Sequence, residues 1–419
     1  MNRLLNGARS LFGLLMLIAV AVALAVIFRG IQKGAEPVPQ VFESSTEVPP
    51  MKTSPPPPYP PPATSTPIPQ NAPTLPPYPP PVQPTSTALV TPTPLPDLGV
   101  WVGPVSEVIP SGGDVAIDSL YNPDLDNNTM VSSARVQGGG TTVVAIDLST
   151  GQVQRLARVA EQGIEGPHIS GHYAAWVQSA PELGRDTNAL HVFDLAQTRE
   201  ITLGYGLLHL PDLKDNILVW QENRAHGLGI YGYDLGTNRA LTITETPGIN
   251  SFPRVCSRDW VVYLRDLSQQ PWPDRVDLRA HNLTTDEDRL IGQLPFPRNA
   301  SAGNQHACDG HRVAWLGTRT ENGRLFYEQH LYDLATRTDR VLNMPVSGAY
   351  SHVLFSNDVL ISTVGYDLQR DVPFSPFANL PLEQIIGGQL ALSNNQLVWT
   401  ARPPGGLQHL YIAFIIRRP

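Results

Sequence analysis

Two cysteines, five methionines and three lysines in 419 residues are what this chain has least of. Two thiols, Cys256 and Cys308, cannot staple a small disulfide scaffold, and no Cys stands directly after the first apolar run, which excludes a lipoprotein anchor. No pair of histidines has the compact spacing of a zinc site: His172 and His311 share a turn position in the repeat described below, and His306 stands two residues before Cys308. The sequence has no Gly-x-Ser-x-Gly elbow, no Walker loop and no dinucleotide fingerprint. No catalytic residue, cofactor or metal ion is therefore expected. Basic charge is also scarce. From residue 98 onward there are 24 Lys and Arg against 33 Asp and Glu, a net charge near −9, which argues against nucleic acid or anionic lipid as the main partner. Lys214 is the only Lys beyond Lys52. The remaining cations are Arg, suited to planar contacts with carboxylates, although a base bias in the coding sequence explains the same preference.

What is present divides the chain into unequal parts. Leu11 to Phe28 is a run of 18 apolar or glycine residues without a charge, about 27 Å as a helix and enough for one membrane crossing. Arg3 and Arg9 precede it, while Arg29 and Lys33 follow it in place of a polar cleavage segment. An uncleaved signal anchor is expected over a cleaved signal peptide. Residues 1–10 then form a short cytoplasmic tail, and everything after residue 28 lies outside the cytoplasm, at the cell surface or in the periplasm.

Residues 29–97 form a stalk. Of the 42 prolines, 23 fall between Pro37 and Asp97, with Ser and Thr filling much of the remainder. Proline fixes φ and removes a donor, so the segment is expected to be disordered and to sample polyproline II as a spacer rather than to build helix or sheet.

Residues 98–419 carry a repeat. An apolar residue, a turn rich in Asp, Asn, Ser and Gly, and a β-branched run ending mostly in an aromatic recur from Leu125, Ile169, Leu213, Cys256, Cys308, Phe355 and Leu392. A period near 40 to 45 residues built from strands is the signature of propeller blades. The expected fold is all-β, a propeller of seven blades with six as the alternative. Val100 to Ile109 is expected to add the outer strand that the last blade lacks.

Within a blade, the pairs Asp147-Leu148, Asp194-Leu195, Asp234-Leu235, Asn282-Leu283 and Asp333-Leu334 read as turn chemistry, the carboxylate or amide bonding its own turn backbone. The column Trp176, Trp220, Tyr263, Trp315 and Trp399 reads as packing between neighbouring blades. Ser132 and Ser362 replace the aromatic in the first and sixth copies, so those two blades are expected to be irregular. Cys256 and Cys308 occupy one column of adjacent blades. Equivalent positions on neighbouring inner strands should lie beyond the ~7 Å Cα limit of a disulfide, so both are expected as buried apolar residues rather than a bonded pair.

The runs Asp309-Gly310-His311-Arg312-Val313-Ala314-Trp315 and Leu331-Tyr332-Asp333-Leu334-Ala335-Thr336 resemble the repeat of TolB-like, WD40-related bacterial β-propellers, over roughly Pro123 to Ile416. The resemblance implies a family that mostly binds proteins, peptides or envelope polymers, with some members joined to a peptidase domain that follows the propeller. A ring of this kind presents its longer loops together. The candidate binding loop is 266–276, with Trp272, Asp274 and Arg275 as an exposed aromatic beside a planar cation. The expected function is a tethered binding or scaffolding module for a protein or glycan of the cell envelope. The alternative is a propeller lyase or hydrolase acting on extracellular polysaccharide or peptide, which requires several His, Asp, Glu or Arg side chains converging at the mouth of the central channel.

Overall fold

The computed structural model describes residues 99–418 except 115, 161–162, 185, 225–226, 269–274, 296–304, 323, 345, 347–352, 363, 377–389 and 402–408. The apolar segment 11–28 and the proline-rich segment lie outside them. No helix among the described residues is long and apolar enough to cross a membrane.

β-branched and aromatic runs separated by short polar turns give strands throughout. Two short strands, β1 (Val100–Val102) and β2 (Ser106–Val108), come first. There follow antiparallel meanders of β3 (Ile117–Asp126), β4 (Thr129–Val136), β5 (Thr141–Asp147) and β6 (Val153–Arg155); then β7 (Ile164–Ser170), β8 (Tyr173–Ser179), β9 (Asn188–Asp194) and β10 (Arg199–Gly206). The next two, β11 (Leu208–Lys214) to β14 (Arg239–Thr244) through β12 (Ile217–Arg224) and β13 (Gly227–Asp234), and β15 (Ile249–Ser257), β16 (Trp260–Asp266), β17 (Arg275–Asn282) and β18 (Asp288–Pro295), are joined into one sheet at Leu228 and Ile249. Then come β19 (His306–Asp309), β20 (Arg312–Glu321), β21 (Arg324–Asp333) and β22 (Thr338–Val341); β23 (Leu354–Ser356), β24 (Val359–Ile361), β25 (Gly365–Asp367) and β26 (Val372–Phe374); and last β27 (Leu390–Ser393), β28 (Gln396–Ala401) and β29 (His409–Arg417).

Each repeat start found in the sequence, from Leu125 to Leu392, is the penultimate residue of the first strand of a meander. Those first strands pack in a closed circuit, β3 on β7, β7 on β11, and onward through β15, β19, β23 and β27 back to β3. Closure is made by strand pairing. β1 and β2 pair with β29, Val100 opposite Arg417 and Val108 opposite Leu410, so the beginning of the folded segment supplies the outer strand of the last sheet and covers its edge.

The aromatic column packs each sheet against the one before it. Trp176 lies among Val131, Val143 and Leu156, Tyr263 among Val219, Ile230 and Ile243, and Trp399 among Val359, Ile361 and Phe374. Trp315 packs with Val262 and Leu278, and Gly292 in β18 leaves room for its indole, since a Cβ there would meet Cζ2 at 2.6 Å. The expectation of irregular first and sixth copies holds for one of them only. The sixth has strands of three residues, whereas β3, β4 and β5 run 10, 8 and 7 residues. Ser132 replaces the ring without cost because its hydroxyl donates to the Tyr121 carbonyl at 2.8 Å.

The two cysteines correct the reading from spacing. Cys256 and Cys308 are disulfide-bonded with Cα atoms 4.9 Å apart. First strands converge around the ring axis, and here the Gly310 N–H donates to the Cys256 carbonyl at 2.8 Å, which draws β15 and β19 within bonding reach.

Candidate functional site

The two ends of the ring differ. At one end every first strand turns into its second through two residues, as at 127–128, 171–172 and 394–395. Third and fourth strands are joined at the same end by four or five residues, and there the Asx chemistry expected from the sequence is built. Asp194 Oδ1 accepts from the Ala196 and Gln197 N–H groups at 3.0 and 3.1 Å, and Asp333 Oδ1 from Ala335 and Thr336 at 2.9 and 2.8 Å, with the same pattern at Asp147, Asp234 and Asn282. The residue four positions on has positive φ in each, as at Thr198, Asn238 and Arg337.

At the opposite end the strand ends are separated by longer stretches of sequence, eight residues between β8 and β9 and 12 between β22 and β23. Exposed large apolar side chains gather at the strand ends there: Leu183 at 56%, Tyr205 at 59%, Leu267 at 61% and Leu325 at 55% exposure. Arg275 opens β17 at this end with its side chain exposed, while Trp272 and Asp274 lie outside the described residues.

Between the two ends the first strands carry a feature not expected from the sequence. Asn122, Gly166, Leu210 and Phe252 have φ of 50, 50, 50 and 52°, each directly before a proline, and strand register shifts at each point. Positive φ strains a Leu or a Phe, and β-bulges re-aim the side chains that follow. The residues after those prolines are Asp124, His168, Asp212 and Arg254. They form a chain across four successive meanders. His168 Nδ1 lies 3.2 Å from Asp124 Oδ2 and 3.5 Å from Asp212 Oδ1, and Arg254 Nη1 donates to the same Asp212 oxygen at 3.1 Å. The bulges also expose backbone donors. Ile169 N–H donates to Asp124 Oδ2 at 2.9 Å and Val255 N–H to Asp212 Oδ2 at 2.6 Å, so both carboxylates also lace neighbouring strands. Burial alone would lower the His168 pKa, but the hydrogen bond to Asp124 and the charges of Asp212 and Asp124 outweigh it and raise it. His306, on the next first strand, is pushed down to about 3 by burial and then by Arg254. Its Nε2 bonds the Phe252 carbonyl at 3.1 Å.

Toward the longer connections, Glu165 and His209 pair at 3.2 Å from half-exposed positions. Toward the tight turns the ring is stitched closed. Asp126 accepts from Gly171 N–H at 2.5 Å, Ser170 from Asp215 at 3.0 Å, Ser356 from Asn394 at 2.8 Å and Ser393 from Asn127 at 3.4 Å, while Lys214 pairs with Asp309. The signal that could have revealed the bulge chain was the proline placed before the polar residue of four copies, Pro123, Pro167, Pro211 and Pro253. Among the described residues no group of three or more His, Cys, Asp or Glu is arranged to hold a metal ion.

The fold has counterparts among solved structures. An oligogalacturonate lyase in complex with manganese aligns at a TM-score of 0.50 with 13% identity, over 74% of this chain and 93% of its own. The β-propeller domain of the Trilobed protease from Pyrococcus furiosus, described as having an open velcro topology, aligns at 0.50 with 11% identity, over 73% and 96%. The described residues fold as a β-propeller. TolB from Acinetobacter baumannii aligns at 0.40 with 12% identity over 68% of this chain, which spans 63% of that TolB. No family model matches the chain, and no curated protein matches it in sequence. The propeller expected from the repeat is thus borne out at the level of fold. This propeller is closed by its first and last segments, whereas the protease propeller is described as open.

Proposed function

We propose that the protein is a membrane-tethered, extracytoplasmic propeller of seven blades that binds or scaffolds a protein or glycan of the cell envelope through the end bearing its longer connections. The observation that carries the reading is the asymmetry of the ring. One end is closed by two-residue turns whose polar groups bond one another; the other presents apolar side chains such as Tyr205, Ile249 and Leu267, at 59, 45 and 61% exposure, with nothing over them among the described residues. Gly99, the first described residue, is held at the tight-turn end, where its carbonyl accepts from Arg418 N–H at 2.8 Å and Arg370 Nη1 at 3.2 Å. Residues 11–28 provide the anchor in this reading, and Trp272, Asp274 and Arg275 belong to the binding end.

Photo-crosslinking tests the reading. A crosslinking residue placed at Leu267 in the full chain should capture an envelope protein or glycan, and one placed at Asn394 on the tight-turn end should not. Equal capture from both positions, or capture from Asn394 alone, sinks it. Resistance of the full chain to alkaline extraction from membranes tests the anchor separately.

A second reading, a lyase or hydrolase acting on polysaccharide or peptide, is favoured by one observation: Asp124, His168, Asp212 and Arg254, on successive first strands, lie within 3.5 Å of one another in a chain. Cleavage of an envelope polysaccharide that is lost in His168→Gln would establish it.

A further inference from the structure

The turn that joins β15 to β16 departs from the other six of its kind. Asn127, Gly171, Asp215, Gly310, Asn357 and Asn394 each open that turn with positive φ, whereas Arg258 does not. A long side chain disfavours the left-handed region, and the strand register shifts between Val255 and Ser257 instead. From this turn Arg258 reaches back to the preceding meander, where its Nη2 donates to Asp234 Oδ2 at 3.1 Å. It thereby walls a cavity of about 310 Å³ between the third and fourth meanders, bounded also by the turns from β13 to β14 and from β17 to β18. The apolar lining is Ile217, Leu241 and Leu283, the margin of the core that holds Tyr263.

The polar lining is unequally committed. Asp234 accepts from the Gly236 and Thr237 N–H groups through Oδ1 and from Arg258 through Oδ2, and Asp259 accepts the Thr284 hydroxyl at 2.9 Å. Both carboxylates are therefore engaged. The cations are not. Arg239 has no hydrogen-bond or ionic partner among the described residues, and Arg258 uses one nitrogen of three. A cationic ligand would face two guanidinium groups, and a neutral sugar would need acceptors for its hydroxyls that the carboxylates no longer offer. Inorganic phosphate would leave the apolar lining in water.

We infer that this cavity binds a small organic carboxylate with an apolar body, its carboxylate held by Arg239 and the remaining N–H groups of Arg258 and its body laid on Ile217, Leu241 and Leu283. The guanidinium fork matches a planar carboxylate, and Asp234 fixes Arg258 in place before the ligand arrives. The volume, about 310 Å³, stands at the lower end of small-molecule sites, which run from roughly 300 to 1,000 Å³. The cavity lies at the tight-turn end and owes nothing to the apolar side chains of the other, so either conclusion can fail alone.

The test follows the Ile217 δ1 methyl signal in the full chain carrying 13C-methyl isoleucine, assigned by its loss in Ile217→Val. Titration with 4-methylpentanoate and, separately, with the peptide acetyl-Gly-Gly-Leu should shift that signal saturably, and the compound that does so at lower concentration distinguishes a free acid from a chain terminus. The uncharged isostere 4-methylpentanamide should bind at least about tenfold more weakly than the acid, and Arg239→Gln should weaken the acids by about tenfold, as expected for one charge-assisted hydrogen bond. Arg239→Lys should retain part of the affinity. No saturable shift with either acid, equal binding of the amide, or undiminished binding in Arg239→Gln overturns the inference.

Discussion

Lys214, at the end of β11, pairs with Asp309, at the end of β19, past the intervening first strand β15. The only lysine beyond residue 52 thus ties two meanders that are not neighbours, while Asp309 also accepts the Asn357 N–H from the meander after its own. Removing the anion should therefore cost more than removing the cation. Lys214→Ala is expected to destabilise by about 1 kcal/mol, since the pair is partly exposed, and Asp309→Ala by about 2 kcal/mol because a backbone donor is orphaned as well. Denaturant midpoints of the two variants check the order, and equal losses would contradict it.

The Cys256–Cys308 bond closes a loop with a sequence separation of 52 residues between consecutive sheets. On chain-entropy grounds the bond contributes roughly 4 kcal/mol at most, with 2 to 4 kcal/mol typical. The double variant Cys256→Ser, Cys308→Ser should lower the unfolding midpoint correspondingly, and reductant should lower that of the native chain but not of the variant.

Two histidines should give opposite pH dependences. The folded pKa of His168 is raised, so its contribution is fully present below the unfolded value near 6.5 and is lost as pH rises through the folded value. His306 is depressed to about 3, so its contribution is present above 6.5 and is lost as pH falls toward 3, about 3 kcal/mol between pH 7 and pH 4. Relative to the native chain, His306→Gln should gain stability on acidification, and His168→Gln should gain it on going from pH 6 to pH 9. Melting temperatures across that range decide both signs.

Gly292 is expected to be intolerant of a side chain. An added Cβ would sit 2.6 Å from Trp315 Cζ2 and 2.8 Å from Cε2, and the indole is held among Val262, Leu278 and Leu334. Gly292→Ala should cost about 1 to 3 kcal/mol by overpacking. Gly171→Ala, with open space around it, should cost only the strain of its φ of +60°.

The periodic parts of the fold were legible because they are local. An Asp followed by Leu and then a Thr can bond its own turn wherever it lies, so Asp194 and Asp333 declare their role without knowledge of their neighbours. The same holds for the aromatic column, whose spacing alone implies a shared face. The disulfide was not legible, since it depends on how closely β15 and β19 converge, and strand period does not report that distance. The chain from Asp124 to Arg254 was missed for a related reason. In an unbulged strand those residues are separate members of four strands, and only the positive φ before each proline turns them toward one another.

Alternation, turn composition and a period of roughly 44 residues determined by themselves that the chain after residue 98 makes strands, where they turn and which residues are buried, because each of these depends on contacts within one meander. The tertiary structure alone decided which meanders touch. It put β1 and β2 beside β29, brought two cysteines 52 residues apart into one bond, and linked Asp124, His168, Asp212 and Arg254 across successive first strands. Those relations arise from closure of the ring, in which first strands converge on a common axis, and convergence is a property of the whole circuit that no single repeat contains.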